Sequence, residues 1–517
     1  MGFCENIRSF RLHFGYGFKR LSDLTGLSEK DLIRLETGEM TPDENAVERL
    51  MACFHIDKAA LLSDKAFSFP KADTTQIHDW ENYAWGVRFE YQQSMEEGKD
   101  IVKHRALFES VNKMEDGEYK TRICEVLNEM VMTLPVRSGY EFEEPSELGA
   151  IRRALGENRN QRKKAPERDE MLARLKGAWL GRIAGCLLGK TVESIKVGEL
   201  HTLLKESGNW PMKRYILSTD ITEDMKKNFV FPIATRCFAD RIPCAPSDDD
   251  TNYVCLAQVL VDRYGRDFTA LDVQNTWLQY QPKSAYCTAE RAAYVNFVKG
   301  FNAPVSAVYQ NPYREWIGAQ IRGDYFGYIN PGNPAMAAEM AWRDASISHV
   351  KNGIYGEMMI SAMIAEAAVE DDILSIIQSG LRQIPEKSRL HKAVNEVIDM
   401  YHKGVLYDEF VCEIYRKYNE DNPHDWCHVI SNAMIVIAAL LYGKGDFASS
   451  ICMAVQAGLD TDCNGATVGS ILGMRGTDSA IPEEWTKPLN GKLDTEIIGL
   501  GRVDIQNMAE KTLSHIE

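Results

Sequence analysis

Apolar positions recur at three- and four-residue spacing along most of this chain, with little of the strict alternation that marks half-buried strands. Near the amino terminus Leu21, Leu24, Leu27, Leu32, Ile33 and Leu35 fall near helical spacing. Gly26 interrupts that pattern, Ser28 stands where an N-cap belongs, and Gly38 and Pro42 end the second helix. A further amphipathic stretch runs from Ala46 to Phe54. Helix, tight turn and helix in so short a span predict a helix-turn-helix bundle over residues 1–65. Residues 66–168 read as a helical connector that ends in the polar tract Glu157 to Glu170, a linker pattern. From 169 to 517 one Ala- and Met-rich helical pattern follows another, and an all-α fold is expected, with a large all-α carboxy-terminal domain.

Composition narrows the function classes. Of 517 residues, 44% are hydrophobic and 26% charged, enough for a large core and against disorder as the main state. The net charge of −16 argues against a protein built on wholesale phosphate binding. Through Lys65 nine basic residues face eleven acidic ones. DNA is therefore a partner that the module's shape suggests and its charge opposes. The longest apolar run, Asn432 to Gly443, is about half the roughly 20 residues a bilayer requires. The amino terminus carries no apolar signal-like stretch, and none of the twelve cysteines forms a C-x-x-C pair. A cytoplasmic protein with reduced thiols and no membrane association is the expectation.

Two glycine ridges stand out. Gly177, Gly181, Gly185 and Gly189 lie four apart on one helix face, as do Gly465, Gly469 and Gly473. Each glycine costs a helix about 1 kcal/mol against alanine, so a close helix–helix approach is expected to compensate. Acidic residues cluster at the ends of these ridges. Glu193 follows the first, Asp460 and Asp462 precede the second, and Asp248, Asp249 and Asp250 open another helix. One aspartate suffices for capping; three in a row repel one another unless cations or donors neutralise them. Oxygen donors of this kind suit Mg²⁺, Mn²⁺ or Ca²⁺. The D-x-D-x-N-G pattern from Asp460 fails as an EF-hand, because Ile471 occupies the position of the closing glutamate.

Residues 1–65 resemble the lambda-repressor-like helix-turn-helix family at Leu21, Gly26, Leu27, Ser28, Leu32, Glu36, Gly38 and Pro42. From about 170 to 517 the chain resembles the ADP-ribosylglycohydrolases. The Gly-rich helix ending in Glu193, the Asp249–Asp250–Thr251 motif, and Asp460-x-Asp462 before a second Gly-rich helix follow in that family's order. The resemblance implies a compact all-α hydrolase of a ribosyl glycosidic bond with two Mg²⁺ ions, Mn²⁺ being an alternative. Its substrate would be ADP-ribose-bearing, a modified side chain or a related small molecule.

Carried over position by position, Glu193 matches the glutamate at the active-site entrance, with Asp249 and Asp462 as its catalytic companions. Asp249, Asp250, Asp460 and Asp462 match metal-binding aspartates, and Asp248, a further metal candidate, stands in the place of a threonine ligand, so its role is not carried over by the resemblance. Cys463 stands at a metal position where many members use a threonine oxygen, and as a thiol it is a poor Mg²⁺ ligand; Cys186 stands where an aspartate is common and is expected to pack. The stretch Tyr328 to Met336 resembles the loop that wraps ADP-ribose, with Gly332 and Asn333 as substrate-binding residues and Pro334 in place of a usual glycine. His349 corresponds to a histidine near the diphosphate and distal ribose. The amino-terminal module raises a second reading, a transcriptional regulator whose glycohydrolase-like domain senses ADP-ribose or a nucleotide.

Overall fold

The computed structural model describes residues 2–54, 56, 58–64, 75–76, 78–157, 161–230, 233 and 236–516. Among them strands are confined to a two-stranded ribbon, Lys492–Asp494 against Arg502–Asp504, and the all-α expectation holds. No helix among these residues is long and apolar enough to cross a membrane. The run from Asn432 instead belongs to helix Val429–Tyr442, which is buried through Leu441.

At the amino terminus four helices, α1 (Gly2–His13), α2 (Phe18–Thr25), α3 (Glu29–Thr37) and α4 (Glu44–Phe54), enclose Phe10, Leu21, Leu32, Leu35 and Leu50. Gly26 ends α2 at φ 66°, and the Ser28 side chain caps α3 by accepting from the Asp31 N–H. Both features follow from local sequence: a left-handed C-cap favours glycine, and a free N–H favours a serine oxygen. The bundle rests on the larger domain. Phe14 stacks on Tyr280 with centroids 5.1 Å apart, and Arg263 lies 4.6 Å from the Phe14 ring. The expected boundary at residues 65 and 66 lies outside the described residues.

The connector is bolted to the larger domain through buried charge. Helix Tyr83–Glu96 presents Glu90, and Glu97 just beyond it, to Arg314 at 2.8 and 2.5 Å. Arg389 binds Glu144 of the connector at 3.0 Å and Glu315 at 2.7 Å. Such pairs add little net stability but are costly to break singly, which fixes the docking geometry.

At the centre of the large domain, helices Arg168–Lys190 and Thr461–Gly476 run antiparallel along their glycine ridges. Gly177 faces Gly473, Gly181 faces Gly469, and Gly185 faces Gly465. A Cβ added at any of the three positions on the first helix would fall between 2.0 and 2.4 Å from the opposing carbonyl oxygen. Helices Asp249–Tyr264, Lys351–Ala367 and Val429–Tyr442 complete the body. The end of the first ridge and the start of the second therefore meet at one place, and helix Asp249–Tyr264 begins beside it.

Candidate functional site

That meeting point gathers six carboxylates from three parts of the sequence. Asp248 is the N-cap of helix Asp249–Tyr264 and accepts from the Asp250 N–H at 2.9 Å. Asp460 precedes helix Thr461–Gly476, and its N–H donates to Asn432 Oδ1 at 3.2 Å. Asp462 accepts from the Cys463 N–H at 3.1 Å. Asp248, Asp250, Asp460 and Asp462 are buried, while Asp249 and Glu193 are partly exposed at the rim.

Two cations from the first glycine helix contact this cluster. Arg182, wholly buried, donates to the Asp250 carbonyl at 2.6 Å and pairs with Asp250 Oδ1 and Asp324 Oδ1, each at 2.9 Å. Lys190 Nζ lies 2.5 Å from Asp248 Oδ2. Burial resists the Asp248 charge, but Lys190 and hydrogen bonds outweigh it and lower its pKa. The remaining carboxyls go the other way. Burial, then the charges of Asp248 and Asp462, holds Asp249 well above the usual carboxylate range. Burial followed by Asp462 and Glu193 does the same to Asp460. At Glu193 the Asp462 charge is the largest cause, followed by burial and Asp248. Asp250 Oδ2, fully buried, has no hydrogen-bond partner. A crowd of buried, like-charged oxygens with one orphaned acceptor is a donor set short of positive charge, and divalent cations fit it.

The ADP-ribosylglycohydrolase family model matches residues 167–516. The chain belongs to this family. A solved structure described as an ADP-ribosylglycohydrolase-related protein complex shares 19% identity at a TM-score of 0.41, over 67% of this chain and 98% of that one. No curated protein matches the chain. Membership supports a glycohydrolase-type function for the large domain.

Within the glycohydrolase domain the structure brings Glu193, Asp248, Asp249, Asp250, Asp460, Asp462 and Cys463 together, but not Gly332 and Asn333. Gly332 accepts from the Lys163 N–H at 2.8 Å, and Asn333 caps helix Pro334–Ala345. Arg266, just past the end of helix Asp249–Tyr264, holds the same loop through the Ile329 carbonyl at 2.8 Å. The acid cluster lies at that helix's opposite end, and its sixteen residues span about 24 Å. Lys163 of the polar tract thus contacts the Tyr328 to Met336 loop, beside a cleft of about 680 Å³ that Lys163, Arg266, Asn330 and Asn333 line. His349 is away from open space. Its buried ring has Nδ1 2.8 Å from Ser348 Oγ and Nε2 3.9 Å from Glu290 Oε1, within the ionic network of Arg322, Glu290 and Asp344.

Sequence reasoning missed the counter-ions Arg182, Lys190 and the second acid Asp324. The signal was there: a charged residue inside a ridge of buried glycines needs a buried partner. Cys427, with Sγ 3.8 Å from Asp460 Oδ2, was missed as well, and no motif marks it.

A second cluster, Glu96, His424 and His428, has metal-like spacing. Its hydrogen bonds oppose a metal. The Trp316 indole N–H donates to His424 Nδ1 at 3.3 Å and the Ile430 N–H to His428 Nδ1 at 3.1 Å. Each imidazole therefore carries its proton on Nε2, the atom facing Glu96 at 3.2 and 3.8 Å. The trio reads as a carboxylate held by the His424 N–H, with the His428 Nε2 facing it beyond hydrogen-bond distance, docking the connector. Burial raises the Glu96 pKa, but His424 and then His428 outweigh it and bring it to about 2. Burial, reinforced by His424, lowers His428 to about 4. Both values lie below the unfolded ones of 4.5 and 6.5, so the unfolded chain binds more protons and stability falls as pH falls. His428 acts between pH 6.5 and about 4, and Glu96 between 4.5 and about 2. His428→Gln is expected to flatten the pH dependence of urea stability in the upper window. An unchanged slope there would mean that His428 takes up its proton freely in the folded protein.

Proposed function

We propose that this chain is a metal-dependent hydrolase of a ribosyl glycosidic bond that releases ADP-ribose from a modified side chain or a related small molecule. The observation that carries this reading is the convergence of six carboxylates on two contacting cations at the junction of the glycine helices, inside a domain of this family. Cleavage at an anomeric carbon develops positive charge on the ribose, and an acidic cleft complements it. Asp248, Asp249, Asp250, Asp460 and Asp462 would hold two divalent cations. When bound, such ions supply orientation of ribose hydroxyls and a more acidic water. The carboxylates taken alone suit Mg²⁺, with Mn²⁺ as substitute.

Glu193, at the rim, is assigned proton transfer or gating at its carboxyl, whose pKa the Asp462 charge and burial raise while the cluster lacks metal. Asn432 positions Asp460 by accepting its N–H, and it ties in the second helix through the Asn464 side-chain amide at 2.9 Å. Neither Gly332, Asn333 nor the sealed ring of His349 is given a ligand contact. The test is release of free ADP-ribose from ADP-ribosyl-arginine, ADP-ribosyl-serine and ribosyl nucleotides, followed by mass spectrometry with metal and with EDTA. EDTA-sensitive release from one of them is expected. No release from any by the metal-loaded protein would overturn the reading. The regulator reading gains no observation from the structure, and the net acidity of the amino-terminal module offers phosphate little attraction.

A further inference from the structure

The acid cluster is also a thiol cluster. One donor atom each from Cys186, Asp248 and Asp250 lie within 4.8 Å of one another, and so do donors from Asp250, Asp462 and Cys463. The two groups share Asp250, and each contains one sulfur. Both cysteines are buried, Cys186 3% and Cys463 6% exposed. Their placement follows from the glycine ridges. Cys186 follows Gly185, Cys463 lies in the first turn of helix Thr461–Gly476, and the Gly185–Gly465 contact brings those segments against Asp250.

We infer that Cys186 and Cys463 supply a thiolate to each of two adjoining metal positions that share Asp250, making the centre selective for a thiophilic first-row ion such as Zn²⁺, Fe²⁺ or Co²⁺ over Mg²⁺. The inference rests on reading the cluster as a metal centre and settles which class of ion it takes. Metal–sulfur bonds of about 2.3 Å and metal–oxygen bonds of about 2.1 Å put neighbouring donors roughly 3 to 4.4 Å apart, close to the spacing already present. Asp250 would be available to both positions, because Arg182 engages Oδ1 while buried Oδ2 has no hydrogen-bond partner. Mg²⁺ disfavours sulfur, whereas borderline ions accept thiolate and carboxylate together and release the thiol proton to solvent on binding.

The full-length protein, stripped of metal, would be titrated with Co²⁺ while sulfur-to-cobalt charge-transfer absorption is followed in the near ultraviolet. Competition with Mg²⁺ would be read by calorimetry. The expected result is a charge-transfer band, a dissociation constant for Co²⁺ at least about 100-fold below that for Mg²⁺, and loss of about half the band in Cys463→Thr and in Cys186→Ser. Cys463→Thr keeps a small oxygen donor, so it answers the question even where Cys186→Ser does not fold. Co²⁺ binding without the band, or Mg²⁺ competing on equal terms, would overturn the thiolate assignment and leave the metal centre standing. Binding of neither ion would overturn both.

Discussion

Gly469→Ala is expected to destabilise the protein by about 3 kcal/mol or more, measured as a lower urea midpoint at unchanged slope. The methyl group would sit 2.0 Å from the Gly181 carbonyl oxygen and 2.7 Å from the carbon of that carbonyl. No rotamer change relieves a clash between a Cβ and a peptide carbonyl. The two helices would have to separate along contacts that recur at Gly177, Gly185 and Gly189. Helix propensity alone predicts the reverse, a gain of about 1 kcal/mol for alanine over glycine. Gly198→Ala supplies the control. Gly198 lies in helix Val197–Glu206 with nothing within 4 Å of an added Cβ, and that substitution should stabilise by about 0.5–1 kcal/mol. Equal effects of the two substitutions would mean that the ridges do not hold the helices together. Because Asp462 and Cys463 ride on the second ridge helix and Arg182 on the first, Gly469→Ala should also weaken metal binding at a distance from the ions.

Those ridges show what was legible in the sequence. Four-residue spacing of glycines is a local, periodic signal with a single physical purpose, and both helices and their contact follow from it. The acidic motifs at the ridge ends were equally legible, since adjacent aspartates are hard to explain by capping. Pairings between distant segments were not. Arg314 and Glu90 stand 224 positions apart, and neither carries a mark of the other. The tract from Glu157 looked like a solvated linker because its charges alternate in sign. In the structure Lys163 gives its backbone N–H to Gly332 and its ammonium to Glu366 at 2.7 Å, so those charges are partly structural. Gly332 is ambiguous for a related reason. A glycine at φ 68° with a backbone approach of 2.6 Å to an added Cβ fits a ligand loop and a linker contact alike, and only the partner distinguishes them. Cys186 and Cys463 were visible as departures from the family pattern, but their shared neighbour Asp250 emerges only from the fold.

Asp462→Asn is expected to abolish metal-dependent turnover while making the metal-free protein more stable. The Asp462 charge raises the pKa of Glu193, Asp249, Asp250 and Asp460, so it is the carboxylate that the others share as a burden. Raised values mean that the folded state binds more protons than the unfolded one, so metal-free stability from these groups is lost as pH rises through their folded pKa. The asparagine removes that term while keeping an oxygen for the Cys463 N–H. The wild-type-minus-variant difference in unfolding free energy should therefore grow more unfavourable to wild type as pH is raised towards neutrality. Measuring the difference cancels the opposite contributions of Glu96 and His428, which the substitution leaves intact.

Metal reverses the order. Saturation at about 100 times the dissociation constant stabilises a one-site protein by roughly 2.7 kcal/mol, and wild type should gain this where the variant gains little. Loss of a metal-holding carboxylate should lower turnover by more than about 100-fold, since even the loss of an outer hydrogen-bond partner of a metal ligand costs 10- to 100-fold. Thermal unfolding with and without metal, at two pH values, reads the stability changes in one set of curves, and release of free ADP-ribose with metal and with EDTA reads the turnover. A variant less stable than wild type without metal would show that Asp462 has a structural partner outweighing the repulsion, and would remove the electrostatic reason for placing an ion there.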